Sequence, residues 1–482
     1  MNFTKTLIAL AVTSLALPAI AQSSKEMDEL RQELRQLRKE LNDLKAQKAA
    51  PAKSADGTNW GERIEQVELK QKDAVVAGDT ANSFRIPGSE SSMRIYGFAE
   101  VNMVTEFAGD NSNNDYSTFV PYAPINDSTD RKGQTYLHAR TSRLGFETST
   151  PTTYGPLSVK VEGDFNNEPR YGNSSTYGKD GNIYTQAATN SYGFRLRHAY
   201  GQFGGLLVGQ TWTTFMDLDN SPETVDYNGP IGSTFIRQSQ IRYAYGTKDL
   251  GTFTGALENP VSYVLGKNGA VKTSGFSKMP DVVLRWDKGF GWGSMSVRAL
   301  GQDIRLNSAD AAEKTSKFGY GLASTAFIKL RDAKDFLSLA VTYGDGIGRY
   351  FNYVEGAIYD DVKNSIYTEK ALGIVGGYQY KASDVLRMNF VLGMQRNFDN
   401  DYTNFVNANG LGYSKTVIDS DGNTMGQFAI NRGAYQGHVG MIYNPIKGVD
   451  LGAELIFGKR QTMAGEQGDL SRVNLSAKYY IN

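Results

Sequence analysis

Basic residues lie between apolar neighbours in several segments. Arg195 and Arg197 flank Leu196, and Arg242 lies between Ile241 and Tyr243. Because alternate residues of a strand share one face, these cations would line the polar face of a sheet. Guanidinium groups in a narrow channel attract anions and bind carboxylates in bidentate geometry. Nine basic residues are predicted to line a polar lumen: Arg140, Arg143, Lys160, Arg195, Arg197, Arg242, Arg285, Arg298 and Arg387.

Negative charge is concentrated in one segment, residues 213–233. It holds four acids and no base and ends in Gly229-Pro230-Ile231-Gly232. The acids of this segment are Asp217, Asp219, Glu223 and Asp226. One alternative stays open: these carboxylates, with strand acids such as Glu162, Asp164 and Glu454, would neutralise the arginines and leave a lumen without charge preference.

From about residue 93 hydrophobicity alternates with period two. In 386–395, Leu386, Phe390 and Met394 share one face, whereas Arg387 and Gln395 lie on the other. Segments of about ten residues with this pattern are long enough to cross a bilayer as tilted strands. The pattern predicts sixteen strands, at 93–107, 134–148, 156–166, 192–203, 205–212, 234–246, 251–258, 280–287, 291–306, 316–330, 335–345, 369–381, 384–398, 427–443, 448–460 and 469–481.

The connections alternate in length. Long ones follow odd-numbered strands, as at 108–133, 167–191 and 346–368, and short ones follow even-numbered strands, as at 247–250. This is typical of a bacterial outer-membrane β-barrel, with both termini in the periplasm. A β-sandwich would not alternate so regularly, and an α/β fold needs helical periodicity between strands, which we do not find after residue 92. We therefore predict an all-β, 16-stranded antiparallel transmembrane barrel spanning 93–482.

The N-terminal part carries an export signal and a heptad pattern. Residues 1–21 combine Lys5, an apolar run and Ala19-Ile20-Ala21, which predicts a cleaved signal peptide and a Gram-negative outer-membrane destination. Residues 22–50 predict a periplasmic coiled coil, and 51–92 a linker with a short helical piece. The spacing of the apolar seam is 3, 4, 3, 4, 3 through Met27, Leu30, Leu34, Leu37, Leu41 and Leu44.

Composition excludes several other functions. The chain of 482 residues has 51 Lys plus Arg against 51 Asp plus Glu, so it has no basic excess for nucleic acid. The absence of cysteine excludes disulfides and thiol chemistry. His138, His198 and His438 lack ligand spacing, so the sequence predicts no metal, cofactor or catalytic residue. An outer-membrane enzyme that uses one of these histidines stays an alternative.

Several segments resemble one family. Arg197–Gly201, Leu206–Trp212 and the loop with Asp217 and Gly229-Pro230 are similar to the DcaP-like porins. The resemblance implies a homotrimer in outer-membrane lipid that passes small anionic solutes such as dicarboxylates and aromatic carboxylates. In such trimers the third external loop narrows the barrel, and 213–233 has that position. The alternative is an envelope tether whose coiled coil contacts periplasmic partners or peptidoglycan. Unlike most outer-membrane barrels, the chain ends in Asn482 rather than an aromatic residue.

Overall fold

A computed structural model describes residues 76–109, 123, 125, 132–166, 193–307, 314–351, 354–418 and 424–481. The predicted signal peptide and coiled coil lie outside these residues. No helix in these ranges is long and apolar enough to cross a membrane.

Strands dominate the described ranges, and the single helix found there has eight residues. Labels follow chain order. The strands are β1 (Val76–Ala77), β2 (Phe84–Arg85), β3 (Ser92–Ala108), β4 (Thr135–His138), β5 (Arg143–Thr152), β6 (Gly155–Asp164), β7 (Arg195–Phe203), β8 (Leu206–Trp212), β9 (Arg237–Thr247), β10 (Gly251–Glu258), β11 (Asp281–Phe290), β12 (Gly293–Leu306), β13 (Thr315–Leu330), β14 (Asp335–Asp345), β15 (Ala357–Asp360), β16 (Ser365–Thr368), β17 (Lys370–Lys381), β18 (Leu386–Asn397), β19 (Lys415–Ile418), β20 (Thr424–Phe428), β21 (Asn431–Tyr443), β22 (Val449–Thr462) and β23 (Gln467–Ile481), and the helix is α1 (Asp401–Ala408).

One antiparallel sheet closes into a barrel. Among the described residues this sheet has nineteen strands, and its last strand β23 pairs with β3 from Ile481–Gly97 to Ser471–Ala108. Strands β4 and β5 both pair with β3 and together form the second wall strand, and β1 and β2 pair beside the start of β3. The wall therefore has sixteen strands, as the alternation predicted. Closure gives each wall strand in the described ranges a partner on both sides.

Alternation separates two faces of the wall. On β11, Val282 and Leu284 are 44% and 60% exposed, whereas Val283 between them is fully buried. Leu392 of β18 is 64% exposed and the preceding Val391 is 2% exposed. Large apolar side chains thus form the outer surface, and smaller or polar side chains face the lumen. An exposed apolar surface that surrounds a closed barrel fits a lipid environment.

Two details of the wall differ from the predicted strands. The predicted strand 134–148 is interrupted at residues 139–142, where the Ser142 hydroxyl accepts the backbone N–H of Glu100 at 3.0 Å. The Ser142 backbone N–H bonds to Ala139 O at 3.0 Å inside the turn. The predicted linker 51–92 contains β1 and β2 near its end. Two-residue strands are too short for the alternation pattern to detect.

The long connections contain more structure than the sequence indicated. Hairpin β15–β16 lies in 346–368, and hairpin β19–β20 and α1 lie in 399–426. Helix α1 shows no helical periodicity in the sequence and was therefore not predicted. Asn400 caps this helix: its side chain accepts the Thr403 N–H at 3.3 Å, and the Thr403 hydroxyl accepts the Asn400 N–H at 2.9 Å. An eight-residue helix has too few turns to show helical periodicity.

Candidate functional site: the inner loop and the arginine cluster

The connection between β8 and β9, residues 213–236, folds into the barrel; we call it the inner loop. At its start, Glu258 of β10 accepts the Thr213 hydroxyl at 2.6 Å and the Thr214 N–H at 2.7 Å. Further along, Phe215 packs with Tyr350 and other fully buried apolar side chains of the lumen. The inner loop therefore covers one side of the lumen.

Glycines on the lumenal face make room for the inner loop. A Cβ at Gly377 would overlap the Pro222 ring, and one at Gly393 would overlap the carbonyl of Ile231. A side chain at these positions would push the loop off the wall.

Asp217 fixes the first half of the inner loop to β11 and β13. Its carboxylate accepts Arg285 Nη2 at 3.3 Å, Asn220 Nδ2 at 2.7 Å and the Thr325 hydroxyl. Burial alone would raise the pKa of this carboxyl, but the positive charges of Arg285 and Arg298 hold the pKa of Asp217 below its usual value. Asp217 is therefore an ionised anchor whose charge is already compensated.

Glu223 fixes the next part of the loop to β17 and β18. Arg387 donates Nε at 2.7 Å and Nη2 at 2.8 Å to its two oxygens in bidentate geometry. Gln379 and Asn389 add amide hydrogen bonds at 2.8 and 3.1 Å. Here a loop acid neutralises one of the predicted lumenal arginines.

A wall carboxylate holds the tip of the inner loop. Glu454 of β22, 2% exposed, accepts the backbone N–H groups of Val225 and Asp226, both at 2.9 Å. His438 Nδ1 lies 3.1 Å from the same carboxylate. Glu454 thus positions the following residue, Tyr227.

Tyr227 reaches three arginines, Arg195, Arg197 and Arg237, which we call the arginine cluster. Its phenol oxygen accepts Arg195 Nη2 at 2.7 Å, Arg237 Nη2 at 3.2 Å and Arg197 Nη1. The phenol donates to Asp164 Oδ2 at 3.1 Å. One side chain of the loop tip therefore joins β6, β7 and β9.

Two wall carboxylates compensate part of the arginine cluster. Asp164 accepts Arg195 in bidentate geometry at 3.0 and 2.8 Å and Arg197 at 2.9 Å. Glu162 accepts Arg197 Nε at 2.7 Å. The β6–β7 register shifts between Glu162 and Gly163, so that Glu162 pairs with His198 and Gly163 with Leu196. Arg197 is the extra residue of this bulge, which re-aims its side chain.

Arg237 and Arg242 of β9 have a different environment. Arg237 stacks on Trp212, its guanidinium carbon 3.8 Å from the ring centroid, and bonds to Tyr227. Arg242 is half-buried on the lumenal side of the same strand. Across the described ranges, no ion pair joins a carboxylate to either residue. Neither guanidinium group is therefore in an ion pair within the described residues, and that of Arg237 lies beside the inner loop through its bond to Tyr227.

The nine predicted lumenal cations fall into three groups. Six are in ion pairs with carboxylates: Arg143, Lys160, Arg195, Arg197, Arg285 and Arg387. Arg242 and Arg298 have no carboxylate partner among the residues whose structure is described, and Arg298 donates to Phe215 O at 3.0 Å. Arg140, 1% exposed, lies in the turn that interrupts the second wall strand.

The other loop acids differ in exposure. Asp226 is buried and accepts the Asn228 N–H at 2.9 Å, whereas Asp219 is exposed. Three of the four acids therefore have specific contacts, and only Asp219 faces open space.

Lumenal side chains differ in how far the loops cover them. Inward-facing Tyr96, Glu147, Lys160 and Arg242 are partly exposed, whereas inward-facing Ser296 and Thr325 of β12 and β13 are buried. The lumen beside β3, β5, β6 and β9 is therefore less covered than the lumen beside β12 and β13.

Sequence reasoning missed Arg237 and Tyr227. In a regular strand Arg237 would share a face with Ile241, which is exposed on the outside. It is the first residue of β9, where the chain leaves the inner loop, and there it turns towards Trp212. Tyr227 carries no charge, and its contacts with residues 10 to 63 positions away have no signal in a single sequence.

All three histidines are buried: His138 is 2%, His198 7% and His438 1% exposed. His198 Nδ1 lies 3.0 Å from the Thr211 hydroxyl, and His438 contacts Glu454. In the part of the chain that the structure describes, no group of three or more His, Asp or Glu side chains could hold a metal ion.

Comparisons with known proteins agree with this architecture. The family model described as DcaP outer membrane protein matches residues 64–481. The outer membrane channel DcaP of Acinetobacter baumannii is 24% identical, with 84% of this chain and 100% of that chain covered and a TM-score of 0.66. Pseudomonas putida OprB is 12% identical, with 88% and 98% covered and a TM-score of 0.46. No curated protein sequence matches.

The family match covers well over half of the chain. The likeness to the Acinetobacter baumannii protein independently shows the same barrel fold. The chain therefore belongs to the DcaP outer membrane protein family and has the porin fold.

Proposed function

We propose that this porin lets small anionic solutes, among them dicarboxylates and aromatic carboxylates, diffuse passively across the outer membrane. The observation that carries the proposal is that Arg237 and Arg242 are in no ion pair with a carboxylate of the described residues. Both lie on β9, one at its start and one in the middle, so an anion would meet them in succession.

The field inside the barrel comes mainly from the lumenal charges that are not in ion pairs. In the inner loop, Asp217 is ion-paired with Arg285 and Glu223 with Arg387. On the wall, Asp164 is ion-paired with Arg195 of the arginine cluster. A pore of low-dielectric walls focuses the field of the charges that are left. Arg237 and Arg242, like the buried Arg298, have no carboxylate partner among the described residues, and their positive charge favours anions over cations.

A general pore without charge preference is the second candidate. It is favoured by the six predicted lumenal cations that have carboxylate partners. Paired charges present little net field to a passing solute. The two candidates differ in whether Arg237 and Arg242 dominate the passage.

We further propose that the protein is a homotrimer whose N-terminal coiled coil lies in the periplasm. The support is the leucine seam of residues 22–50, because a short helix with such a seam is marginal unless it associates with another helix. Deletion of residues 22–50 would distinguish an oligomerisation role from an envelope tether: the first predicts loss of trimers, and the second predicts loss of envelope attachment with intact trimers and conductance.

Liposome swelling with three solutes of similar size tests the proposed function. Gluconate is an anion, glucose is neutral and glucosamine is a cation. We expect the swelling rate to fall in that order. The double variant Arg237→Gln with Arg242→Gln should bring the three rates closer together, whereas Arg432→Gln, which removes an ion pair with the exposed Asp399 outside the arginine cluster, should leave them unchanged. Equal rates in the wild type would favour the general pore, and faster glucosamine uptake would exclude anion preference.

A further inference from the structure

We propose that Tyr227 is a tethered stand-in for an anion: its phenol oxygen occupies the position in the arginine cluster that a solute oxygen would take, and a solute must displace it. This inference rests on the proposed anion passage and names the residue that regulates it.

The contacts of the phenol are those expected for a bound acceptor. Three guanidinium groups donate N–H groups to one oxygen atom. They belong to Arg195 and Arg197 of β7 and Arg237 of β9. Arginine has only donors, so such a convergence needs an acceptor at its centre. The phenol is neutral in this role and meets three positive charges. A carboxylate oxygen would satisfy the same donors and add charge complementarity.

The aromatic ring of Tyr227 adds only a weak contact with the cluster, so a solute can still replace the phenol oxygen. Its centroid lies 5.7 Å from the guanidinium carbons of Arg195 and of Arg197, a weak cation–π arrangement. Because the loop tip is fixed to Glu454 through the backbone of Val225 and Asp226, the side chain can leave the cluster while the loop stays in position.

Displacement has a defined consequence at the wall. Asp164 accepts a hydrogen bond from the phenol hydroxyl at 3.1 Å. When the phenol leaves, Asp164 keeps its ion pairs with Arg195 and Arg197. Arg237 has no carboxylate partner in the described structure, and the phenol is the hydrogen-bond acceptor that its guanidinium group meets there. An anionic solute that replaces the phenol therefore gains its strongest new charge interaction at Arg237. Tyr227 therefore lowers the apparent affinity of the arginine cluster for anions, because a solute has to compete with the phenol for the three guanidinium groups.

The size of the effect follows from population arithmetic. If the phenol occupies the cluster about nine-tenths of the time, the apparent dissociation constant of an anion is about tenfold weaker than that of the empty cluster. Removal of the phenol oxygen should recover this factor. A second effect is kinetic, because a tighter site holds an anion longer and interrupts chloride current for longer.

The test compares Tyr227→Phe with the wild-type trimer in planar bilayers. Phenylalanine keeps the ring and removes only the oxygen. Succinate is titrated against chloride current, and the concentration that halves the conductance is measured. The matched control is Tyr263→Phe in the connection between β10 and β11, which removes a phenol that donates to Glu355 at 3.3 Å and has no contact with the three arginines in the described structure. Heat-modifiable migration in gels confirms that each variant barrel is folded.

We expect succinate to act at about tenfold lower concentration on Tyr227→Phe and at unchanged concentration on Tyr263→Phe. Equal or weaker succinate block in Tyr227→Phe, with wild-type anion preference intact, would overturn the stand-in role and leave the proposed function standing. Absence of anion preference in both wild type and Tyr227→Phe would overturn the proposed function and the stand-in together.

Discussion

Replacement of Glu454 by glutamine should release the tip of the inner loop. The carboxylate accepts two backbone N–H groups at 2.9 Å, and glutamine offers one oxygen and one NH₂ group in the same space. One of the two N–H groups, on Val225 or Asp226, would then face a donor. A lost charge-assisted hydrogen bond in a buried site costs about 2–3 kcal/mol. The tip should therefore open roughly 30- to 150-fold more often, because 1.4 kcal/mol corresponds to about a factor of ten.

Hydrogen exchange followed by mass spectrometry measures this opening directly. The peptide that contains 222–230 should exchange faster in Glu454→Gln, and peptides of β22 should not change, because the barrel ladder is intact. Glu147→Gln is the control, since Glu147 is a lumenal carboxylate bonded to Arg94 and Lys160 rather than to the loop. Single-channel records of Glu454→Gln should also show more frequent conductance steps. Unchanged exchange of 222–230 would refute the assignment of Glu454 as the anchor of the tip.

Three further predictions concern the wall, the outer loops and the cluster. Gly377→Val should push Pro222 and the inner loop off the wall into the lumen and narrow the passage, seen as lower single-channel conductance; an unchanged conductance would contradict the packing described for this glycine. Glu369, buried beside Glu355, has its pKa raised to about 8 by burial, so its contribution to loop stability should be present at acidic pH and lost as the pH rises through about 8. Protease sensitivity of 346–369 should rise with pH in the wild type and stay flat in Glu369→Gln. Arg197→Gln should destabilise the barrel by about 3–5 kcal/mol because it breaks the buried ion pairs of Arg197 with Glu162 and Asp164, whereas Arg237→Gln should cost much less; similar losses in thermal unfolding would argue against this difference.

The wall of the barrel was predictable because period-two alternation is a local property of the chain. Leu392 and Val391, or Val282 and Val283, differ in exposure as their positions along a strand require. The lengths of the connections added the barrel topology. The turn at 139–142 and helix α1 were not predictable, because each is shorter than the window in which a periodic pattern is visible.

The polar side of the site was predictable only in part. Alternation placed Arg195 and Arg242 with the polar residues, but it could not show which carboxylate meets which arginine. Those pairs join residues far apart in sequence, such as Arg387 and Glu223, separated by 164 positions. Arg237 was missed because it turns at a strand end, where the alternation of a regular strand no longer fixes direction.

Reversal potential under a potassium chloride gradient tests the central claim most directly. Purified protein is inserted into a planar bilayer, and the zero-current voltage is measured for the wild type and for Arg237→Gln with Arg242→Gln. The uncompensated charge of these two residues predicts a wild-type potential displaced towards chloride equilibrium and a variant potential closer to zero. A wild-type potential displaced towards potassium equilibrium would contradict the claim, and an unchanged variant potential would show that these arginines do not set the charge preference.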